Sequence, residues 1–264
     1  MSSYFGGQIH LFDPDTFESI GAIRGVPGAQ TVVSGPTGEW IAVAELDDAI
    51  VRVDPDTFEV TGPLVADDPA TSDDETGGLD NPDAAAFGPD GRLYVSSFET
   101  DQVLRYEADG TFVDVFVDAG VGGLDGPDIG LGFEPTGDLV VPGWTSDRVH
   151  RYDALTGAPL DDLVGPEDGL AAPRAVRFTA DGVGWVTGHD AGGLLRVDPD
   201  TGAVTVANPL PRAAGLAIVG DTLLVSTSAD DTVHAIDPRT GEDLGVRIDF
   251  RPIDGVTAIE LLRR

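Results

Sequence analysis

The chain has 264 residues, 41% apolar and 7% aromatic, enough to fill a core, which excludes a disordered chain. It has no cysteine, excluding disulfides and thiolate metal centres, and no apolar run reaches the roughly 18 residues of a membrane helix. Its 47 acidic residues face 15 basic ones, all arginine, and the net charge of −32 leaves no basic stripe to displace counterions from nucleic acid.

Taken in chain order, one turn signature recurs. It reads FDPDTFESI from Phe12, VDPDTFEVT from Val53 and YEADGTFVD from Tyr106, then YDALTGAPL from Tyr152, VDPDTGAVT from Val197 and IDPRTGEDL from Ile236. The acids that open these turns, Asp13, Asp54, Glu107, Asp153, Asp198 and Asp237, are spaced by 41, 53, 46, 45 and 39 residues. From Asp237 through the C-terminus and on to Asp13 the interval is 40. Six units therefore use the whole chain, and short strands at such a period predict the blades of a β-propeller.

Within residues 82–118, alternation predicts four strands: PDAAAF as inner strand a, RLYVSSF as b, QVLRYE as c and TFVDVFV as d. Inner strands begin near Pro27, Pro82, Pro127, Pro173, Pro211 and Pro252, where a missing ladder donor costs least. Val95 and Phe87 read as residues packed between sheets. IDGVTAIEL, from Ile253, supplies only a strand a, whereas MSSYFGGQIHLFD aligns with strands b and c of VSSFETDQVLRYE. The expectation is one all-β domain over 1–264, a six-bladed propeller of four-stranded antiparallel blades. Its last blade is formed by 1–26 with 252–264, a three-plus-one closure that removes two exposed sheet edges.

Units such as NPDAAAFGPDGRLYVSSFETDQVLRYEADGTFV resemble NHL-type repeats over essentially the whole chain. The resemblance implies a six-bladed propeller and says little of activity, because its motifs build turns and strand cores. Acid-rich, lysine-free composition is similar to that of proteins from salt-accumulating halophiles, since at molar salt the Debye length falls to about 3 Å and self-repulsion is screened. The N-terminal MSSYFGGQIH has neither a basic nor a long apolar segment. The expected setting is thus the cytoplasm of such a cell, or a surface assembly, for a monomer without a signal peptide.

Repetition separates scaffold from site. His10, His150 and His234 share one slot of strand c, and Arg52, Arg105, Arg151 and Arg196 share the next, so both sets read as scaffold. The DPDTF and DPDTG turns read as turn chemistry rather than calcium loops. Residues 66–80 form an acidic insertion, read as a solvated loop on the axial face. Two rings on that face are not uniform. One, at the start of strand a, comprises Asp83, Asp128, Arg174, Arg212 and Asp254, completed by Ala29 or Gln30. The other, at the end of strand b, comprises Tyr4, Glu45, Phe98, Trp144, His189 and Ser228. Asp83, Asp128 and Asp254 are candidate oxygen ligands for one divalent cation such as calcium, manganese or zinc. Arg174 and Arg212 are candidate clamps for a ligand's carboxylate or phosphate, with Trp144, Phe98 and Tyr4 as apolar walls. His189 and Glu45 are the catalytic candidates.

These features support a non-catalytic binding or assembly module whose axial face takes a protein or a small molecule. A second reading rests on similarity to gluconolactonase-type propellers, which implies a metal-activated water against a lactone or ester, with Glu45 joining the oxygen cage. A third rests on the short resemblance of GWVTGHDAGGLLRVD to streptogramin-inactivating lyases, with His189 as base. No Ser–His–Asp order, phosphate loop or zinc spacing is legible. The glycines of VGGLDGPDIGLG precede a strand rather than a helix, which excludes a dinucleotide fingerprint.

Overall fold

The computed structural model describes residues 1–67, 74–249 and 255–262. It is all-β, with six antiparallel sheets of sequential strands arranged as propeller blades. Blade one comprises Ala29–Ser34, Trp40–Ala44, Ala49–Val53 and Val60–Val65. Blade two comprises Pro82–Phe87, Leu93–Ser97, Gln102–Tyr106 and Phe112–Val117, within a residue of the four predicted strands at each end. Blade three is Gly132–Phe133, Leu139–Gly143 and Arg148–Tyr152. Its outer edge carries the isolated bridges Tyr152 to Pro159 and Val149 to Val164 in place of a regular fourth strand. Blade four is Ala171–Phe178, Gly184–Ala191, Gly193–Val197 and Val204–Asn208, and blade five is Ala213–Val219, Thr222–Thr227, Thr232–Ile236 and Asp243–Asp249.

Blade six joins the two ends of the chain. Ser2–Ser3, Gln8–Phe12 and Ser19–Arg24 form strands b, c and d, and Ser3 bridges Val256 in antiparallel register. Amides of Ser2 and Tyr4 donate to the carbonyls of Ala258 and Gly255, both at 3.0 Å. These bonds give the inner edge of blade six its partner, as the three-plus-one closure requires.

The core is divided among the interfaces between blades. Alternation explains why: successive side chains of a strand leave opposite faces of its sheet. In Trp40–Ala44, Ile41 and Val43 pack toward blade two with Leu93, Val95 and Leu104, while Trp40, Ala42 and Ala44 pack toward blade six with Ile9 and Ile23. Equivalent clusters join blades two and three, three and four, four and five, and five and six. Val95 is fully buried, whereas Phe87 is half-buried at the edge of its cluster. Inner strands approach closely: a Cβ on Gly130 would lie 2.5 Å from Ala175 Cα, and one on Gly215 would lie 2.6 Å from Ile259 N.

The recurrent turns are Asx turns. Asp198 Oδ1 accepts from the amides of Asp200 and Thr201 at 3.2 and 3.0 Å, and Asp13, Asp54 and Asp153 do the same. Donors aimed at these carboxylates favour the charged form and hold all four below the usual aspartate range. The repeated histidine and arginine slots serve the scaffold. His150 Nδ1 lies 3.0 Å from Asp162 and His234 Nδ1 2.8 Å from Asp243, while Arg105 grips Asp114 and Arg151 grips Glu134. The insertion differs from the solvated loop expected. Residues 68–73 lie outside the described residues, but the return leg is packed. Thr76 and Leu79 are buried, and the Tyr106 hydroxyl donates to the Thr76 carbonyl at 2.7 Å. Leu79 joins the core cluster between blades one and two.

Candidate functional site

Five blades place a described residue at the axis immediately after strand b (Tyr4, Glu45, Phe98, Trp144 and Ser228), and four place another at or near the start of strand a (Gln30, Asp83, Asp128 and Arg174). Their convergence forms a cavity of about 350 Å³ lined by Tyr4, Gln30, Glu45, Asp83, Phe98, Asp128, Trp144, Arg174 and Ser228, with Phe5 and Asn81 among the rest of its wall. Nine of the predicted ring positions are thereby brought together. Gln30, rather than Ala29, completes the inner ring. Asp254 lies outside the described residues. Arg212 is exposed and lines a neighbouring shallow cavity with His189. The two arginines therefore do not converge as a clamp.

The cavity is built on buried acid. Glu45, Asp83 and Asp128 are 9%, 5% and 2% exposed. The Tyr4 hydroxyl donates to Glu45 Oε1 at 3.0 Å, and Gln30 Nε2 donates both to Glu45 Oε2 and, at 2.7 Å, to Asp83 Oδ1. Gln30 Oε1 is buried and unpartnered among the described residues. Asp128 Oδ1 accepts from the Ile129 amide at 2.6 Å and from Arg174 at 3.1 Å. Arg174 lies 5.2 Å over the Trp144 ring, completing a half-buried cation–π contact.

Burial sets the electrostatics. Desolvation, then the Asp128 and Glu45 carboxylates, raise the Asp83 carboxyl well above the usual range. Burial also raises Asp128, against the opposing pull of Arg174. The Tyr4 phenol is pushed up to about 12 by burial first and then by Glu45.

His189 stands behind this wall rather than in it. Its ring packs 5.0 Å from Trp144, its Nε2 lies 3.0 Å from Ser228 Oγ, and its Nδ1 lies 2.7 Å from Asp190 Oδ1. Sequence reasoning placed Ser228 in the ring without a role and missed Asp190 and the contacts of Gln30. The available signal was the adjacency of His189 and Ser228 at equivalent positions of neighbouring blades.

The resemblance to gluconolactonase-type propellers implies a metal cage, and the described residues do not fit one. No three His, Asp or Glu side chains among them converge as ligands. Asp83 Oδ1 accepts from Gln30 and Asp128 Oδ1 from Arg174, so one oxygen of each carboxylate already has a partner.

Fold and cavity together define a six-bladed β-propeller with an acidic, aromatic-walled axial cavity. The chain matches no protein-family model and no curated protein sequence. Among solved structures it is similar to a Bacteroides caccae protein of unknown function, at TM-score 0.72 and 15% identity over 98% of this chain and 96% of that one. It is similar to the nidogen/laminin complex at TM-score 0.76 and 16% identity, covering 97% and 95% of the two chains. A streptogramin B lyase follows at TM-score 0.68 and 14% identity, covering 97% and 80%. At these identities the likeness is one of fold.

Proposed function

We propose that this chain is a binding module whose axial cavity takes a small organic cation, such as an amine. One observation carries the reading: three buried carboxylates line the cavity, and the directly paired cation among its described residues is Arg174 alone. A ligand ammonium relieves the mutual repulsion of Asp83, Asp128 and Glu45, and buried charge of one sign is otherwise costly. Tyr4, Phe98 and the free part of Trp144 suit the apolar body of such a ligand and the cation–π contact of its head. The unpartnered Gln30 oxygen adds an acceptor for an N–H donor. Halophilic life is part of the same proposal, supported by composition alone.

Titration calorimetry in molar KCl tests it, with benzylamine and tetramethylammonium set against benzyl alcohol and benzoate. The expected result is amine binding that weakens at least about tenfold in Asp83→Asn, equivalent to about 1.4 kcal/mol. Equal affinity for benzyl alcohol, or a stoichiometric divalent cation that amines do not displace, overturns the amine reading.

A further inference from the structure

The described residues contain two serine–histidine–aspartate hydrogen-bond chains, and the contrast between them is informative. In blade three, Ser146 Oγ lies 2.8 Å from His150 Nε2, and His150 Nδ1 lies 3.0 Å from Asp162. There the hydroxyl donates to the Gly143 carbonyl at 3.2 Å, so its proton is committed to the turn. His150 is 1% exposed, deep in the blade. That chain is scaffold.

The second chain is arranged differently. Ser228 Oγ lies 3.0 Å from His189 Nε2, and His189 Nδ1 lies 2.7 Å from Asp190. Among the described residues the Ser228 hydroxyl bonds to His189 alone, and Ser228 lines the axial cavity while His189 stands behind it. Nucleophile in the cavity, base behind it and carboxylate beyond the base is the order that activates a hydroxyl. Trp144 fixes the imidazole from one side at 5.0 Å. The same Trp144 ring carries Arg174 at 5.2 Å on the cavity wall.

We propose that Ser228 is a nucleophile activated by His189, with Asp190 as a positioning residue, and that the axial cavity supports hydrolysis of a small carboxylic ester. Ser228 Oγ forms a bond to the carbonyl carbon as its proton passes to His189 Nε2, giving a tetrahedral oxyanion. The oxyanion collapses, the ester C–O bond breaks, and His189 returns that proton to the leaving alcohol. Water then gives a proton to His189 and attacks the acyl-serine carbonyl carbon. The acyl C–O bond to Ser228 breaks as His189 returns that proton to Ser228 Oγ, releasing the acid and restoring both side chains. No oxidant or cofactor is needed. The proposal goes beyond cation binding and turns on different polar groups, so Asp83→Asn and Ser228→Ala separate the two.

Covalent labelling tests it without a known substrate. The intact chain, folded in molar KCl, is treated with an alkyl fluorophosphonate, and the adduct is mapped by mass spectrometry. One adduct per chain on the Ser228 peptide is expected, absent in Ser228→Ala and formed at least about a hundredfold more slowly in His189→Gln. Asp190 is 64% exposed, so Asp190→Asn leaves the fold intact, checked by circular dichroism, and slows labelling about tenfold. Ser146→Ala keeps the full rate. An unlabelled wild type, or Ser228 labelling at an unchanged rate in His189→Gln, overturns the proposal.

Discussion

Gln30 Nε2 donates to Asp83 Oδ1 at 2.7 Å across the boundary between blades one and two, and the same nitrogen holds Glu45. One amide thus ties together two buried carboxylates from neighbouring blades. Gln30 is 4% exposed, so neither of its donors is offered to water.

Asp83 makes the protein's stability fall as pH rises. Its folded carboxyl keeps a proton at pH values where the unfolded chain, titrating near 3.9, has lost it. The contribution is therefore complete below the unfolded value and is lost as pH climbs through the raised folded value. The turn aspartates Asp13, Asp54, Asp153 and Asp198 act in the opposite direction, losing theirs as pH falls. Asp83→Asn keeps an acceptor for Gln30 and removes the charge. Thermal unfolding of both proteins from pH 4 to 8 should show the variant gaining on wild type as pH rises. A variant destabilised equally at every pH would show that the carboxylate is a structural acceptor only.

Phe58 and Gly202 occupy the same position of the recurrent turn, at φ of +62° and +67°. For phenylalanine this conformation is strained, and the compensation is a stack on Trp40, with centroids 5.9 Å apart and planes 8° apart. A Cβ on Gly202 meets nothing within 4 Å, so Gly202→Ala isolates the backbone term. It should cost about 1 kcal/mol in denaturant unfolding. Phe58→Gly removes the strain and the stack together and should cost more, about 2–3 kcal/mol. If Phe58→Gly instead stabilised the protein, the stack would contribute less than the strain.

The net charge of −32 is spread over the ring. Raising KCl from 0.1 to 2 M shortens the Debye length from about 10 Å to below about 3 Å. The unfolding midpoint should rise by roughly 5–10 °C, equivalent to a few kcal/mol for a chain of this size. A midpoint that does not respond to salt would remove the halophilic reading and leave the acid as a feature of partner binding.

Much of the architecture was legible because a repeat supplies internal controls. The intervals between Asp13, Asp54, Glu107, Asp153, Asp198 and Asp237 counted the blades, and alternation in PDAAAF and RLYVSSF found strands to within a residue. The insertion misled because its acid hides two buried residues, Thr76 and Leu79, which no period marks. Ring positions were legible for the same reason as the blades. Most follow strand b or open strand a, and most of those described line one cavity.

By itself the sequence determined the number of blades, the closure through the two ends, the turn chemistry, and the ring of residues nearest the axis. Those properties depend on local periodicity, which repeats and can be checked against itself. Only the tertiary structure decided which axial residues touch. It turned Arg212 away, spent Arg174 on Asp128 and Trp144, and set Ser228 against His189 from 39 residues away in sequence. The physical reason is that a strand period fixes height and direction on a blade. Contacts across the axis depend instead on the tilt of neighbouring blades and on side-chain rotamers, which no repeat records.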